Sequence, residues 1–143
     1  MRARNVIASC TPLIATATFV RAYCDSFPTV EQEFKTSAVV FIAKVSSARE
    51  VSVRSRAISG GAFYSVKVEQ VLKGTPPKMV ELYSENSSGR FPMQVDVEYL
   101  VFAYSGAFEG ISGQQLAINN CGNSAPRSTA QKALATVRKP TKA

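Results

Sequence analysis

The sequence predicts a mainly β protein, a five-stranded Greek-key barrel with a short helix before the strands and a second helix after them. Five stretches rich in β-branched and aromatic residues are separated by turns that contain glycine, proline or asparagine. The stretches at the two ends instead carry apolar residues at helical spacing. A length of 143 residues suits one domain, and closing five strands into one barrel is the economical way to cover their edges.

The first helix and the first strand follow each other directly. Thr29 can cap the helix, and Gln32 three residues later completes a capping box. Val30 and Phe34 then fall on one face of the helix. The first strand, AVVFIAKVSSA at residues 38–48, begins with a continuous apolar run, which is typical of a strand buried on both faces.

The second and third strands occupy the middle of the chain. Residues 49–61, REVSVRSRAISGG, carry charges and end in two glycines, which fits either a long hairpin arm or a loop. Residues 62–74 alternate between apolar and polar side chains and therefore predict a strand with one solvated face. Two prolines at residues 76–77 break this pattern, and KMVELYS at residues 78–84 predicts the third strand.

The remaining elements lie in the last third of the chain. Residues 94–106 predict a fourth strand and residues 111–122 contain a short fifth one. Residues 125–137 predict the second helix, with Pro126 acceptable in its first turn. The apolar positions of these strands predict a core of Val40, Ile42, Tyr64, Val66, Val68, Leu72, Val80, Leu82, Leu100 and Phe102.

The first 22 residues have the features of a secretory signal peptide. Arg2 and Arg4 form a basic start, residues 6–20 are uncharged and largely apolar, and small residues precede a cleavage site after Ala22. A membrane anchor is the first alternative, but the stretch is short for one and contains Pro12. A buried N-terminal strand is the second. The favoured interpretation is a signal peptide at residues 1–22, one domain at residues 23–138 and a basic tail at residues 139–143.

Cleavage at that site changes both the charge and the cysteine count. Removing three arginines and no acid lowers the formal net charge from +7 to +4, and no dense cationic cluster remains, so nucleic acid is not favoured as a partner. Cleavage also removes Cys10 and leaves Cys24 and Cys121 as an even pair. In an oxidising compartment this pair predicts a single disulfide, and hence a secreted or periplasmic protein with no membrane attachment after cleavage.

The residue types available for chemistry indicate a binding module, not an enzyme. Histidine is absent, which excludes Ser-His and Cys-His nucleophilic pairs. The ten acids are scattered singly, and the chain has neither a phosphate-binding glycine loop nor cysteine and histidine residues at zinc-site spacing. We therefore expect no cofactor and no metal site within the chain itself.

Several segments in order carry a resemblance to a known family. An early cysteine and a short helix precede SAVVFIAKV, YSVKVEQVLKGTPPKMVELYS, VDVEYLVFAY and a late NNCG. Over about residues 24–137 the chain resembles the netrin-like module, and most closely the bacterial proteins similar to tissue inhibitors of metalloproteinases. The resemblance implies an OB-fold barrel, secretion and a disulfide that anchors the N-terminal segment. In the animal inhibitors it also implies blockade of a zinc protease.

The same resemblance suggests which residues would contact a partner. An N-terminal cysteine held in a disulfide can offer its α-amine and carbonyl oxygen to the open coordination position of a catalytic zinc, and Cys24 is the candidate for this role. The predicted cleavage leaves Tyr23 ahead of Cys24, which places that amine in a peptide bond. The charged arm that carries Arg49, Arg54 and Arg56 corresponds to the hairpin that helps the animal inhibitors grip proteases.

Two functions follow as expectations. The first is a secreted or periplasmic module that binds a protein, with a zinc metalloprotease as the candidate partner. The second is an OB-fold that binds an oligosaccharide or single-stranded nucleic acid through aromatic side chains on its sheet. The side chains available for such stacking are Tyr83, Phe91, Tyr104 and Phe108. One departure from the family pattern is Arg90, which stands where many relatives are expected to carry another cysteine.

Overall fold

The computed structural model describes residues 24–52 and 59–139. The predicted signal peptide, Arg54, Arg56 and the last four residues of the basic tail lie outside these ranges. Within them the protein is mainly β with two helices, as predicted. In chain order the elements are α1 (Val30–Thr36), β1 (Val39–Ser52), β2 (Ser59–Lys73), β3 (Met79–Glu85), β4 (Glu98–Gly106), β5 (Gln115–Ala117), β6 (Ala125–Pro126) and α2 (Gln131–Val137).

Five of the strands form a sheet that closes on itself as a ring. The order is β1, β2, β3, β5, β4, and β4 pairs back with β1. Every pairing is antiparallel except that of β3 with β5, which is parallel. The two-residue strand β6, which the sequence pattern did not predict, pairs with β4 alone. Within the described ranges, neither α1 nor α2 is long and apolar enough to cross a membrane.

The predicted cap of α1 is confirmed. The Gln32 amide donates to Thr29 Oγ1 over 3.2 Å, and the Thr29 amide donates to Gln32 Oε1 over 2.9 Å. These reciprocal bonds satisfy two backbone donors that the first turn of a helix leaves without partners inside the helix. The capping box therefore fixes where α1 begins.

The other end of α1 is held by a lysine from the sheet. Lys73 Nζ donates to the carbonyl oxygens of Phe34, Lys35 and Ser37, each over 2.7 Å. The last carbonyls of a helix lack partners within the helix and carry partial negative charge, so an ammonium group is a suitable donor to them. Lys73 thus ties α1 to the end of β2.

The strand β1 is buried on both faces over its first half, as its apolar run predicted. Phe41, Ala43 and Val45 point into the ring, where they meet side chains from the other four strands. Val40 and Ile42 point outward and pack with Leu100, Phe102, Ala130 and Leu134 beneath the two helices. The period of two in a strand therefore divides the apolar residues between a ring interior and an outer layer.

Eight of the ten predicted core residues are buried, and two lie at the margin. Val68 and Leu72 are only partly buried. The pairing of β3 with β2 ends at Lys67, so β2 continues beyond its neighbour. Register shifts opposite Phe41 and Ile42 then turn the end of β2, which leaves Leu72 against the helix layer and not inside the ring.

Three boundaries differ from the predicted ones. Residues 94–97 form a turn instead of starting the fourth strand, with Asp96 at a left-handed φ of 67° and its amide bonded to the Val45 carbonyl over 2.9 Å. Pro126 lies in β6 opposite Tyr99, not in the first turn of a helix, because the next amide, that of Arg127, continues this ladder. Over its described residues, the segment at 49–61 is paired as a hairpin arm, as far as Ser52 with Ser59.

Candidate protein-binding edge

The predicted disulfide is present and anchors the beginning of the described chain. Cys24 is bonded to Cys121, with Cα atoms 5.6 Å apart and a sequence separation of 97 positions. Cys121 lies between β5 and β6, so the bond joins the N-terminal segment to the turn between these two strands. We use the term disulfide edge for residues 24–28, 86–90 and 119–123, which meet around this bond.

A carboxylate from α1 fixes the turn that contains Cys121. Glu33 Oε2 accepts hydrogen bonds from the Asn123 amide and from Asn123 Nδ2, over 2.5 and 2.7 Å. Asn123 Nδ2 also donates to the Pro28 carbonyl over 3.1 Å. Burial raises the pKa of Glu33, and the bonds from Asn123 oppose that rise. A Cβ on Gly122 would lie 2.0 Å from Glu33 Oε1, so a larger residue there would displace the Glu33 carboxylate.

The loop at residues 86–90 lies between the disulfide and the hairpin arm. The Asn120 amide donates to the Gly89 carbonyl over 2.7 Å, which joins the loop to the turn before Cys121. On its other side, the Arg90 guanidinium forms an ion pair with Glu50 of the arm. The hydrogen bond to Glu50 raises the pKa of Arg90. Arg90 therefore links the arm to the disulfide edge through an ion pair.

Arg49 is engaged elsewhere. Its Nη2 atom lies 2.8 Å from Glu81 Oε1, and its guanidinium carbon lies 4.9 Å from the centre of the Phe63 ring. Since successive side chains of a strand point to opposite faces, Arg49 and Glu50 diverge. The structure therefore does not bring Arg49 together with Cys24, and the other two predicted contact residues, Arg54 and Arg56, lie outside the described residues.

Two exposed aromatic side chains flank the disulfide, and the sequence reasoning assigned Phe27 no role. The Phe27 side chain is 71% exposed, although Phe27 lies only three residues from Cys24. Tyr104 is 36% exposed and lines a groove of about 460 Å³ together with Cys24, Asp25 and Asn119. A large apolar residue beside a half-cystine, outside any amphipathic pattern, is the signal that could have singled out Phe27.

The aromatic residues considered for stacking are mostly packed inside. Phe91 lies in the ring interior. Tyr83 is 1% exposed and its hydroxyl donates to the Gly60 carbonyl over 2.5 Å. The Tyr83 ring also contacts those of Phe63 and Phe108, with centroids 5.0 and 4.6 Å away. Of the four, Tyr104 has the most accessible ring.

No cluster of three or more histidine, cysteine, aspartate or glutamate side chains that could hold a metal ion occurs in residues 24–52 and 59–139. The two cysteines there are consumed by the disulfide. The disulfide edge and the groove beside it therefore offer another molecule a fixed backbone, two aromatic side chains and a few polar groups.

Comparison with known proteins does not assign the chain to a family. No model of a known protein family matches the sequence, and no curated protein matches it significantly.

Proposed function

We propose that this protein is an exported module of the netrin-like type, built on an OB-fold, that binds another protein through its disulfide edge. The closed strand order supports the fold, and the single disulfide is consistent with a secreted or periplasmic location. The observation that carries the function is the position of Phe27, which is exposed beside a covalently fixed segment.

A rigid edge with exposed aromatic side chains suits protein binding. The disulfide and the hydrogen bonds that Asn123 donates to Glu33 hold the disulfide edge in place before binding, so little conformational entropy is lost when a partner docks. Aromatic side chains in the centre of an interface commonly contribute most of the binding free energy. Phe27 and Tyr104 are the residues of the disulfide edge and its groove that can fill pockets on a partner.

The candidate partner class is a zinc metalloprotease. Chelation of a catalytic zinc by this chain would need the free α-amine of Cys24, because the sulfur of Cys24 is held in the disulfide. With Tyr23 in place that nitrogen is part of a peptide bond and cannot act as an amine ligand. We therefore propose that the protein beginning at Tyr23 binds its partner by surface contacts and does not occupy the zinc.

Three forms of the protein test this proposal against a panel of zinc endopeptidases. The first begins at Tyr23, the second at Cys24, and the third carries an added alanine before Cys24 as a control for chain length. We expect zinc-dependent inhibition from the form beginning at Cys24 alone. Equal inhibition by all three would show that the amine has no role.

Surface binding needs a separate readout. Binding of each protease to the form beginning at Tyr23 is measured directly, with Phe27→Ala as the variant. The matched control is Val71→Ala, because Val71 is also exposed and lies far in sequence from every segment of the disulfide edge. We expect Phe27→Ala to weaken binding at least tenfold, since a central aromatic anchor typically contributes about 2 kcal/mol or more. Unchanged binding by Phe27→Ala would exclude the disulfide edge as the contact surface.

The alternative of an OB-fold that stacks sugars or bases has less support. Such binding uses several accessible aromatic rings along a positively charged groove. Tyr83 and Phe91 are buried, and the groove beside Cys24 instead contains Asp25 and Glu33.

A further inference from the structure

The groove beside the disulfide combines negative charge with an accessible aromatic ring. Its volume is about 460 Å³, and it is bordered by the N-terminal segment, the end of α1, β4 and the turn after β5. We call it the Tyr104 groove. Among the described residues that line it, the charged ones are Asp25 and Glu33, both of which are acidic. The charge of this lining is therefore negative.

Both carboxylates keep oxygen atoms that can accept further hydrogen bonds. Asp25 is exposed, and its side chain forms no ion pair or hydrogen bond within the described part of the chain. Glu33 Oε2 accepts two bonds from Asn123, whereas Oε1 lies against Gly122 of the groove lining. Because the described residues contain no buried side-chain oxygen without a partner, Oε1 is accessible. Both acids therefore have acceptor capacity left for a ligand.

The Glu33 carboxylate is only partly compensated in the free protein. Burial raises the pKa of Glu33, and the hydrogen bonds from Asn123 oppose that rise. A positive group placed within about 4–6 Å of a carboxylate favours its ionised form. The groove therefore favours a cationic guest over a neutral or an anionic one.

The aromatic wall of the groove suits a planar cation. The Tyr104 side chain is 36% exposed, and an aromatic ring attracts a cation over its face, more often from arginine than from lysine. A guanidinium also carries five donors in one plane, so it can stack on a ring and bond to carboxylates at the same time. The groove volume falls within the roughly 300 to 1,000 Å³ of typical ligand sites, so a long side chain fits inside it.

We propose that the Tyr104 groove receives an arginine side chain of the protein partner, which pairs with Asp25 and Glu33 and stacks on Tyr104. This inference rests on the proposed function and names the residue that the partner contributes. A neutral side chain in the groove would take water away from the two carboxylates without supplying a positive charge. The groove therefore selects among partners by charge.

The Tyr104 groove is continuous with the proposed contact surface. Ser26 and Pro28 both line the groove, and the exposed Phe27 lies between them in the chain. The disulfide holds the beginning of this segment in place. A partner that docks on Phe27 therefore lies beside the opening of the groove.

The first test is a nuclear magnetic resonance titration of the disulfide-bonded protein that begins at Tyr23. The probes are the N-acetyl methylamides of arginine, lysine and citrulline, the last having the shape of arginine without its charge. We expect the arginine probe to shift the signals of the groove lining saturably, and the other two to bind at least threefold more weakly. No shifts at the groove, or equal binding of citrulline, would overturn the proposal. Equal binding of the lysine probe would overturn the assignment to arginine.

An exposed carboxylate gives a variant that does not put the fold at risk. Asp25→Asn removes one charge from the groove, and Glu31→Gln removes one from an exposed position of α1 that is not part of the lining. We expect Asp25→Asn to weaken binding of the arginine probe at least threefold and Glu31→Gln to leave it unchanged, with both variants retaining their thermal unfolding temperature. Equal losses in the two variants would show long-range attraction only and refute the groove.

The groove and the disulfide edge are then separated with any protease that binds the form beginning at Tyr23. We expect Asp25→Asn to weaken this binding at least threefold. An effect of Phe27→Ala without one of Asp25→Asn would retain the edge and reject the groove. Binding of the arginine probe with no effect of Phe27→Ala on protease binding would retain the groove and reject the edge. Groove signals that shift with protein concentration alone would overturn the assignment to a different protein, because a second copy would then supply the arginine.

Discussion

Removal of the disulfide should strongly destabilise the protein. The bond closes a loop between residues 97 positions apart. In the chain-entropy account, a cross-link over a loop of this size stabilises the native state by about 4.7 kcal/mol, because the open unfolded chain has many more conformations. Domains of this size are commonly stable by only about 5 to 15 kcal/mol, so the double variant Cys24→Ser with Cys121→Ser should unfold at far lower urea concentration.

The assay is urea unfolding followed by far-ultraviolet circular dichroism. Wild-type protein with reductant should match the double variant, and reductant should leave the double variant unchanged. The dependence of the unfolding free energy on urea should also increase, because an unfolded chain without the cross-link exposes more surface. A stability loss below about 1 kcal/mol would refute the entropic reasoning, given the loop length. Labelling of both cysteines as free thiols in the native protein would refute the bond itself.

Three further perturbations have defined outcomes. Leu82→Ala truncates a fully buried side chain in the ring and should lower the unfolding free energy by about 3 to 5 kcal/mol, measured by urea unfolding. Leu72→Ala, at the margin of the core, should cost clearly less, and equal costs would mean that the ring core is wrongly assigned. Lys73→Met removes the donor to three carbonyls at the C-terminal end of α1 and should cost about 2 kcal/mol, whereas Lys67→Met at an exposed position should cost little. Burial raises the pKa of Glu33 in the folded protein, so the contribution of Glu33 to stability is full below its ordinary pKa of 4.5 and falls as pH rises through the folded pKa. Curves of the unfolding free energy against pH should lose this fall in Glu33→Gln, and an unchanged slope in that variant would contradict the assignment.

The sequence by itself determined the features that depend on neighbouring residues and on counting. The capping box of Thr29 and Gln32 involves residues three apart, so local spacing is sufficient to predict it. Alternation of apolar and polar residues located the strands, because each strand repeats with a period of two wherever it lies in the fold. The disulfide followed from the two cysteines that remain after the predicted cleavage, which left one pairing within the domain.

Part of the candidate site could not be read from the sequence. Glu33 resembles any surface acid of a short helix, and its role became visible only because the fold brings it to Asn123, 90 residues away. Arg90 meets Glu50 across 40 residues for the same reason. The charge of these side chains is local information, whereas their partners depend on how distant segments meet.

Tertiary structure also decided which strands are neighbours. Closure of the ring places β5 between β3 and β4, a pairing that composition does not specify. It also pairs β1 with β4 as far as Lys44 and with β2 as far as Ser52. Pro126 became part of a strand because Arg127 continues the ladder with Glu98. In each case the pattern of apolar residues predicts which side chains of a strand are buried. Hydrogen bonding to a neighbouring strand depends instead on register, and register is fixed only when the whole sheet closes.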